Sequence, residues 1–374
     1  MSDLIERGTE PGVGELFDGP LPAPQATPPT PGSHREPKRR RRWVYVLGGA
    51  LALAVLAAGA GWLTVRQAVD GYERNIQRFG DPFGAIPKTQ RAAPDVAATG
   101  AMNVLLLGSD SRIDAGNPEQ WSYGAQRTDA IMLVHLQADR KAAYVVSIPR
   151  DSWVTVPGHG KAKINAAFSW GGPSLMVRTV ESVTGVPIDH VVVADFTGFR
   201  TLTDQLGGVD ITIPKATHDE RHTWTAGVHH MNGEEALDYV RQRHNLPGGD
   251  FDRVKRQQNW IRAVIRKLSA TGTLANPVAL NRDLQTLSQS VSTDSGFGMD
   301  KIGDLVTSIA GLGGSELGFF TVPTLGTGWS PDHTQSIVNL DPKIGSKLWT
   351  SVKQDKVQDW LKVYHPSMLP TVVR

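Results

Sequence analysis

From Trp43 to Val65 the chain carries no charged residue. A helix of about 23 residues at 1.5 Å rise is roughly 34 Å long, enough to cross a hydrocarbon core of about 30 Å. Trp43, Tyr45 and Trp62 stand near its ends, where amphipathic rings favour the membrane–water interface. The basic run Lys38-Arg39-Arg40-Arg41-Arg42 comes immediately before it. The positive-inside rule therefore expects a cytoplasmic N-terminus, a single membrane span, and everything after Val65 outside. Ala58-Gly59-Ala60 offers small residues for signal-peptide cleavage, but the 42 residues ahead of the apolar run make too long a leader.

The flanks of this span differ from the rest of the chain. Residues 1–42 hold eight of the 24 prolines and no apolar periodicity, so a disordered, Pro-rich basic tail is expected. Between residues 66 and 99, Val69, Tyr72, Ile76 and Phe79 have helical spacing up to Gly80, and Pro82, Pro87 and Pro94 then interrupt it. That pattern predicts a short juxtamembrane helix and an extended linker.

Composition excludes several classes of function. With no cysteine among 374 residues there is no disulfide framework, Cys nucleophile, iron–sulfur cluster or Cys-ligated zinc. Lys and Arg number 39 against 37 acidic residues, a net charge of +2. The chain thus lacks the basic field of a nucleic-acid binder, and no nucleic-acid partner is expected. The Gly-rich elements lack the spacing of nucleotide-binding loops, and no G-x-S-x-G elbow is present.

Residues 100–374 read as one α/β domain. Short apolar runs predict strands over Asn103–Leu107, Ala130–Leu136, Ala143–Ile148, His190–Val193, Val209–Ile213 and Leu317–Val322. Helices are predicted over Pro173–Thr184, Asp195–Leu206, Asn232–Arg241 and Phe251–Leu268. In the last, Phe251, Val254, Gln258, Ile261, Ile265 and Leu268 share one face.

Charged groups cluster where these elements end. Asp110 follows the first strand and Asp129 precedes the second, so two carboxylates can converge on one ion, and magnesium sites commonly use one or two. An Asp-capped turn and an ordinary surface ion pair are the plainer alternative. Around them stand the cations Arg127, Arg150, Lys163, Arg241, Arg243 and Arg253. Arg253 and Gln257 are i,i+4 and share a helix face. Arg241 and Arg243 serve one site only if their helix ends near Arg241. Arginine favours planar, bidentate anions such as phosphate, so the set suits a diphosphate transfer site. Lys255, Arg256, Arg262 and Arg266 read as solvated helix faces.

The stretches GSDSR, RTDAIMLVHL, SIPRDSWV, KINAAFSWGG, DFTGFRTLTDQLGGVDITIP, EALDYVRQR and DFDRVKRQQ occur in this order between Asn103 and Leu268. In that combination the chain resembles the LytR-CpsA-Psr family of cell-envelope enzymes. The resemblance implies an extracytoplasmic α-β-α domain with a central mixed sheet behind one transmembrane helix. It implies transfer of a glycopolymer from a polyprenyl-pyrophosphate carrier, a membrane lipid, to a muramic acid hydroxyl of peptidoglycan. It further implies Mg2+ or Mn2+ at Asp110 and Asp129. Pyrophosphate would be held by Arg127, Arg150, Lys163, Arg241, Arg243, Arg253 and Gln257. Asp110, Asp129, Arg150, Arg241 and Arg243 are the expected catalytic set. One departure is the long loop from Ile113 to Gln126 beside the expected ion site. A non-catalytic, regulatory polyprenyl-lipid-binding protein is the alternative, and a gene regulator using Lys38 to Arg42 on DNA is a third reading that topology would exclude. High Ala, Arg and Gly usage suggests an actinobacterial source.

Overall fold

The computed structural model describes residues 77–110, 128–218, 221–242, 245–270, 285–286, 289–312 and 316–370. The expected tail, the span Trp43–Val65 and most of the juxtamembrane helix lie outside these residues. Among the described residues no helix is long and apolar enough to cross a membrane.

The strands, in chain order, are β1 Gln77–Arg78, β2 Met102–Ser109, β3 Thr128–Leu136, β4 Ala143–Ser147, β5 Trp153–Val156, β6 Gly160–Lys163, β7 His190–Asp195 and β8 Val209–Ile213. They continue with β9 Thr217–His218, β10 Thr223–Trp224, β11 Gly227–Met231, β12 Ser292–Thr293, β13 Leu317–Thr321, β14 Thr324–Trp329 and β15 Ser336–Leu340. The helices are α1 Asn165–Thr184, α2 Phe196–Gln205, α3 Gly233–Arg241, α4 Asp250–Ala270, α5 Met299–Ala310, α6 Pro342–Lys353 and α7 Val357–Tyr364.

Seven strands form a central sheet in the order β1-β12-β7-β2-β3-β4-β13. The sheet is mixed: β2 runs parallel to β7 and antiparallel to β3, and β4 runs antiparallel to β3 and parallel to β13. Because side chains alternate across a strand, β2 sends Leu105 and Leu107 to one core and Val104 to the other. The first core packs α1, α6 and α7 against the sheet, and the second packs α4 and α5 against its other face. Burial on both faces explains why β2, β3 and β4 read as nearly continuous apolar runs. A third cluster, built from β8, β11, α2, α3 and α4, forms a smaller layer beside the second core.

Three local expectations are corrected. The predicted juxtamembrane helix does not continue through its last turn, because Gln77 and Arg78 pair with Ser292 and Thr293 as a sheet-edge strand. Nor is the stretch before Gly100 a free linker. Phe79 and Ile86 are buried in the first core, and the buried Glu181 accepts hydrogen bonds from Arg91 Nε at 2.9 Å and from the Ala92 amide at 3.0 Å. The domain thus begins about twenty residues before the expected boundary. Helix α1, expected from Pro173, begins at Asn165 and is kinked at Gly171-Gly172, where Gly172 has φ 59° and ψ −153°. Such a conformation favours glycine, and Pro173 restarts the helix just beyond it.

Candidate active site

The site lies where β2 ends and β3 begins. Ser109 pairs with Thr128, with an irregularity between Gly108 and Ser109, so Asp110 and Asp129 flank one rung of the ladder. Asp110 is exposed and Asp129 is half-buried. On the next strand, the Ile148 amide donates to the Ile131 carbonyl at 2.8 Å, which holds the loop after β4 against β3. Arg150 on that loop donates through Nη1 to Asp129 Oδ1 in a short ion pair.

Two further carboxylates hold these cations. Arg150 Nε lies 3.6 Å from Asp151 Oδ2 and 3.8 Å from Asp250 Oδ1. Asp151 also binds Lys163 Nζ at 3.0 Å, and Asp250 binds Arg253 Nη2 at 2.6 Å. Gly249, in the left-handed region at φ 56°, turns the chain into α4 and so places Asp250 and Arg253 on its first turn. Gln257, one turn on, approaches the Asp129 carbonyl at 3.5 Å. Helix α3 ends at Arg241, as a shared site for Arg241 and Arg243 requires, and Gln242 leaves the helix with ψ 130°. The exposed Arg241 guanidinium stacks 4.5 Å above the Phe196 ring.

Behind this polar mouth opens a cavity of about 710 Å³. Leu106 and Met132 form its sheet wall, Phe196 and Phe199 come from α2, and Trp260 and Ile261 come from α4. Asp129, Arg241, Arg253 and Gln257 line the same space. An elongated apolar chain carrying an anionic head matches this division between greasy walls and a charged rim that presents Arg241 and Arg253. The α2 face at Phe196 and Phe199 is therefore partly cavity wall.

The structure thus brings Asp129, Arg150, Arg241, Arg253 and Gln257 together. Lys163 stands one ion pair away, through Asp151. Arg127, Arg243 and the loop from Ile113 to Gln126 lie outside the described residues. The roles of Asp151 and Asp250 escape sequence reasoning, because the contact of Asp250 with Arg150 joins residues a hundred apart and the pairing of Asp151 with Lys163 depends on the β5–β6 hairpin between them. Arg256 corrects the expectation of a solvated face. It is 1% exposed, stacks on the Tyr239 ring at 4.5 Å, and donates to Gln242 Oε1 at 2.6 Å. Arg262 is likewise half-buried; burial draws its pKa down to about 10, and it donates to the Pro370 carbonyl at 2.7 Å.

The donor set fits a hard divalent cation. Asp110 and Asp129 offer hard carboxylate oxygens at adjacent strand ends, and Asp129 shares one of them with Arg150. Magnesium is commonly bound through one or two such carboxylates, with water and substrate phosphate as its other ligands. Arg150, Lys163, Arg241 and Arg253 are matched in number by Asp110, Asp129, Asp151 and Asp250. These described side chains alone leave no surplus positive charge for a diphosphate.

The LytR_cpsA_psr family model matches residues 79–353. The cell wall biosynthesis protein LcpA of Corynebacterium glutamicum is 30% identical over 353 residues, covering 84% of this chain and 66% of that protein, so the match spans just under two thirds of the relative's length. The polyisoprenyl-teichoic acid–peptidoglycan teichoic acid transferase TagT of Bacillus subtilis is 31% identical over 256 residues, covering 65% of this chain and 76% of that protein. The solved structure of TagT bound to LI-WTA is 27% identical, superposes with a TM-score of 0.55, and covers 71% of this chain and 95% of that one.

Proposed function

The chain belongs to the LytR-CpsA-Psr family, and on that premise we propose that it transfers a polyprenyl-pyrophosphate-linked glycopolymer to peptidoglycan outside the membrane. The observation that carries this reading is the single cavity wall that runs from Phe196, Phe199 and Trp260 to Arg241, Arg253 and Gln257. The polyprenyl chain enters the apolar part, where burial of its surface provides most of the binding energy. The pyrophosphate rests at the rim against Arg150, Arg241 and Arg253, with Arg127, Arg243 and Lys163 completing the set.

A muramic acid hydroxyl attacks the sugar-proximal phosphorus. A new oxygen–phosphorus bond forms, the bond to the bridging oxygen breaks, and polyprenyl phosphate leaves with that oxygen. A phosphodiester joins polymer and wall. The arginines stabilise charge that grows on the phosphoryl and bridging oxygens. Mg2+ or Mn2+ held by Asp110 and Asp129 would supply Lewis-acid charge at the same oxygens.

The test is a transfer assay on the full chain, with a lipid-linked oligosaccharide donor and peptidoglycan as acceptor. The expected product is wall-bound glycan with release of polyprenyl phosphate. Tight donor binding without transfer to any wall acceptor would replace this reading with that of a lipid-binding regulator.

A further inference from the structure

A second cavity, of about 380 Å³, lies beside the first, between the Arg150 loop, the turn before α4 and the β14–β15 hairpin. Asp151, Asp250, Phe251, Thr327 and Ser336 contribute to its walls. The hairpin is fixed there by the Val338 amide, which donates to the Asp151 carbonyl at 2.9 Å. One guanidinium reaches both cavities. Arg150 binds Asp129 on the wall of the first and approaches Asp151 and Asp250 on the wall of the second.

We infer that this second cavity, extended by Trp329, receives the hydroxyl-bearing glycan strand that accepts the polymer, and that Asp250 takes the proton of the attacking hydroxyl. The inference rests on the transfer reading above. Three observations lead to it. In phosphoryl transfer the attacking and leaving oxygens lie roughly in line through phosphorus. With the lipid phosphate leaving toward the first cavity and the phosphorus held at Arg150, the nucleophile approaches from the second. The lining also selects its guest, because the carboxylates Asp151 and Asp250 disfavour another anion and accept hydrogen bonds from a neutral polyol. Oδ2 of Asp250 is buried and accepts from no donor among the described residues, a carboxylate oxygen whose missing hydrogen bond an entering hydroxyl would supply.

The third observation is the outer edge. Along β14, residues alternate between half-buried and exposed, so Leu325, Thr327 and Trp329 share the open face. Trp329 is 62% exposed and pairs across the hairpin with Ser336, itself on the cavity wall. An exposed indole next to a polar cleft presents a flat apolar surface to the C–H face of a pyranose, one sugar beyond the reacting residue. In the step proposed, the acceptor oxygen bonds to the sugar-proximal phosphorus, the bridging oxygen departs on polyprenyl phosphate, and the hydroxyl proton passes to Asp250 Oδ2 and then to solvent.

The experiment uses the full chain in detergent, a polyprenyl-pyrophosphate-linked oligosaccharide as donor and a soluble, uncrosslinked peptidoglycan strand as acceptor. Trp329→Ala should raise KM for the strand about tenfold and leave donor affinity unchanged, as truncation of an aromatic anchor does. Direct binding of a labelled strand, measured without donor, should weaken in parallel. Asp250→Asn, which keeps the shape and an acceptor for Arg253, should slow single-turnover transfer about 100-fold or more while donor still binds. Loss of donor affinity in Trp329→Ala, with strand KM unchanged, would assign the cavity to the donor's own sugars and overturn the proposal. Unaltered strand binding in that variant would also overturn it, as would undiminished single-turnover transfer in Asp250→Asn. If the wild type binds donor but transfers nothing, the transferase reading fails, and strand binding still reports on the cavity by itself.

Discussion

Arg150 and Asp129, twenty-one residues apart, form an ion pair across the ends of two adjacent antiparallel strands. The pair sets one carboxylate oxygen of Asp129 against a guanidinium before any substrate arrives. On the proposed function, a diphosphate entering the rim would compete with Asp129 for Arg150, and a divalent ion would compete with Arg150 for Asp129. The same exchange serves both ligands, so donor and metal are expected to bind with positive coupling.

The first prediction concerns the carboxylates. Asp110→Asn or Asp129→Asn removes a ligand charge with little change in shape. Transfer is expected to fall roughly 100-fold or more, the scale of losing metal charge stabilisation from phosphoryl transfer. Donor binding should persist in part through the arginines. Single-turnover transfer measured beside donor affinity, with and without chelator, checks this. Full turnover in chelator would remove the role given to both residues.

A second prediction separates charge from geometry at the rim. Arg150→Lys and Arg241→Lys preserve the positive charge and lose the bidentate fork. If these side chains act on charge developing in the transition state, kcat should fall further than donor affinity. Arg266, exposed on the same helix as Arg253, is the control, and Arg266→Ala should leave both quantities near wild type. Equal losses of affinity and rate in the rim variants would mean that they only hold the lipid.

Arg256 is predicted to matter for stability. Replacement by Ala removes the stack on Tyr239 and the bond to Gln242, and leaves space in a fully buried position. The expected cost is about 3 kcal/mol. In a domain of this size it should appear as a Tm lower by roughly 5 °C in a thermal melt. A melt indistinguishable from wild type would show that the buried guanidinium contributes nothing net.

Much of this architecture is legible from local pattern, and the exceptions have physical causes. β8 matches its predicted bounds, Val209–Ile213, because an alternating strand is a local signal, and α3 ends at Arg241 as its spacing suggests. The Arg256 environment is not local. The apolar stripe on α4 identifies the face toward the sheet, but nothing in it reveals that the layer containing Tyr239 and Gln242 covers another side. The β5–β6 hairpin is short and turns at the left-handed Gly158 and Gly160, so it leaves little periodicity to read. Asp151 and Asp250 stand in the motifs that suggest the site, yet a carboxylate beside an arginine in sequence does not declare which cation it will bind in space. β1 is read as helix because a spacing of three and four residues is present, and pairing with β12 outweighs it.

The fourth prediction concerns acid stability. Burial alone would raise the Asp355 carboxyl, but hydrogen bonds from His135 and the Ala138 amide, with the charge of His135, hold it below the usual carboxylate range. The folded state therefore binds this proton less readily than the unfolded chain does. Its contribution is present above the ordinary Asp value of about 4 and is lost as pH falls through the lower folded value. Asp355 has φ 57°, a conformation that Asn also tolerates, so Asp355→Asn tests the charge without backbone strain. That variant should lose about 1–2 kcal/mol at neutral pH and show a shallower fall of stability in acid. Denaturant midpoints at neutral pH and near pH 3 are the measurement, and parallel losses at both would assign the effect to shape instead of charge.

The last prediction is topological. The basic run Lys38 to Arg42 precedes the uncharged stretch Trp43–Val65, and charge after Arg66 is sparse and mixed. Basic residues next to a span resist translocation, whereas the domain that follows can be carried across largely regardless of its charge. A reporter fused after Arg374 should accordingly be active only if it is of a kind that functions outside the cytoplasm. Reversing the five basic residues to Glu removes the retention signal, and should divert part of the population to the inverted orientation or leave it uninserted. Protease added to intact spheroplasts should digest the wild-type domain and spare this misoriented fraction. Activity of a cytoplasm-only reporter at the C-terminus would put the domain on the wrong side for any wall acceptor, and the transferase reading would fall with it.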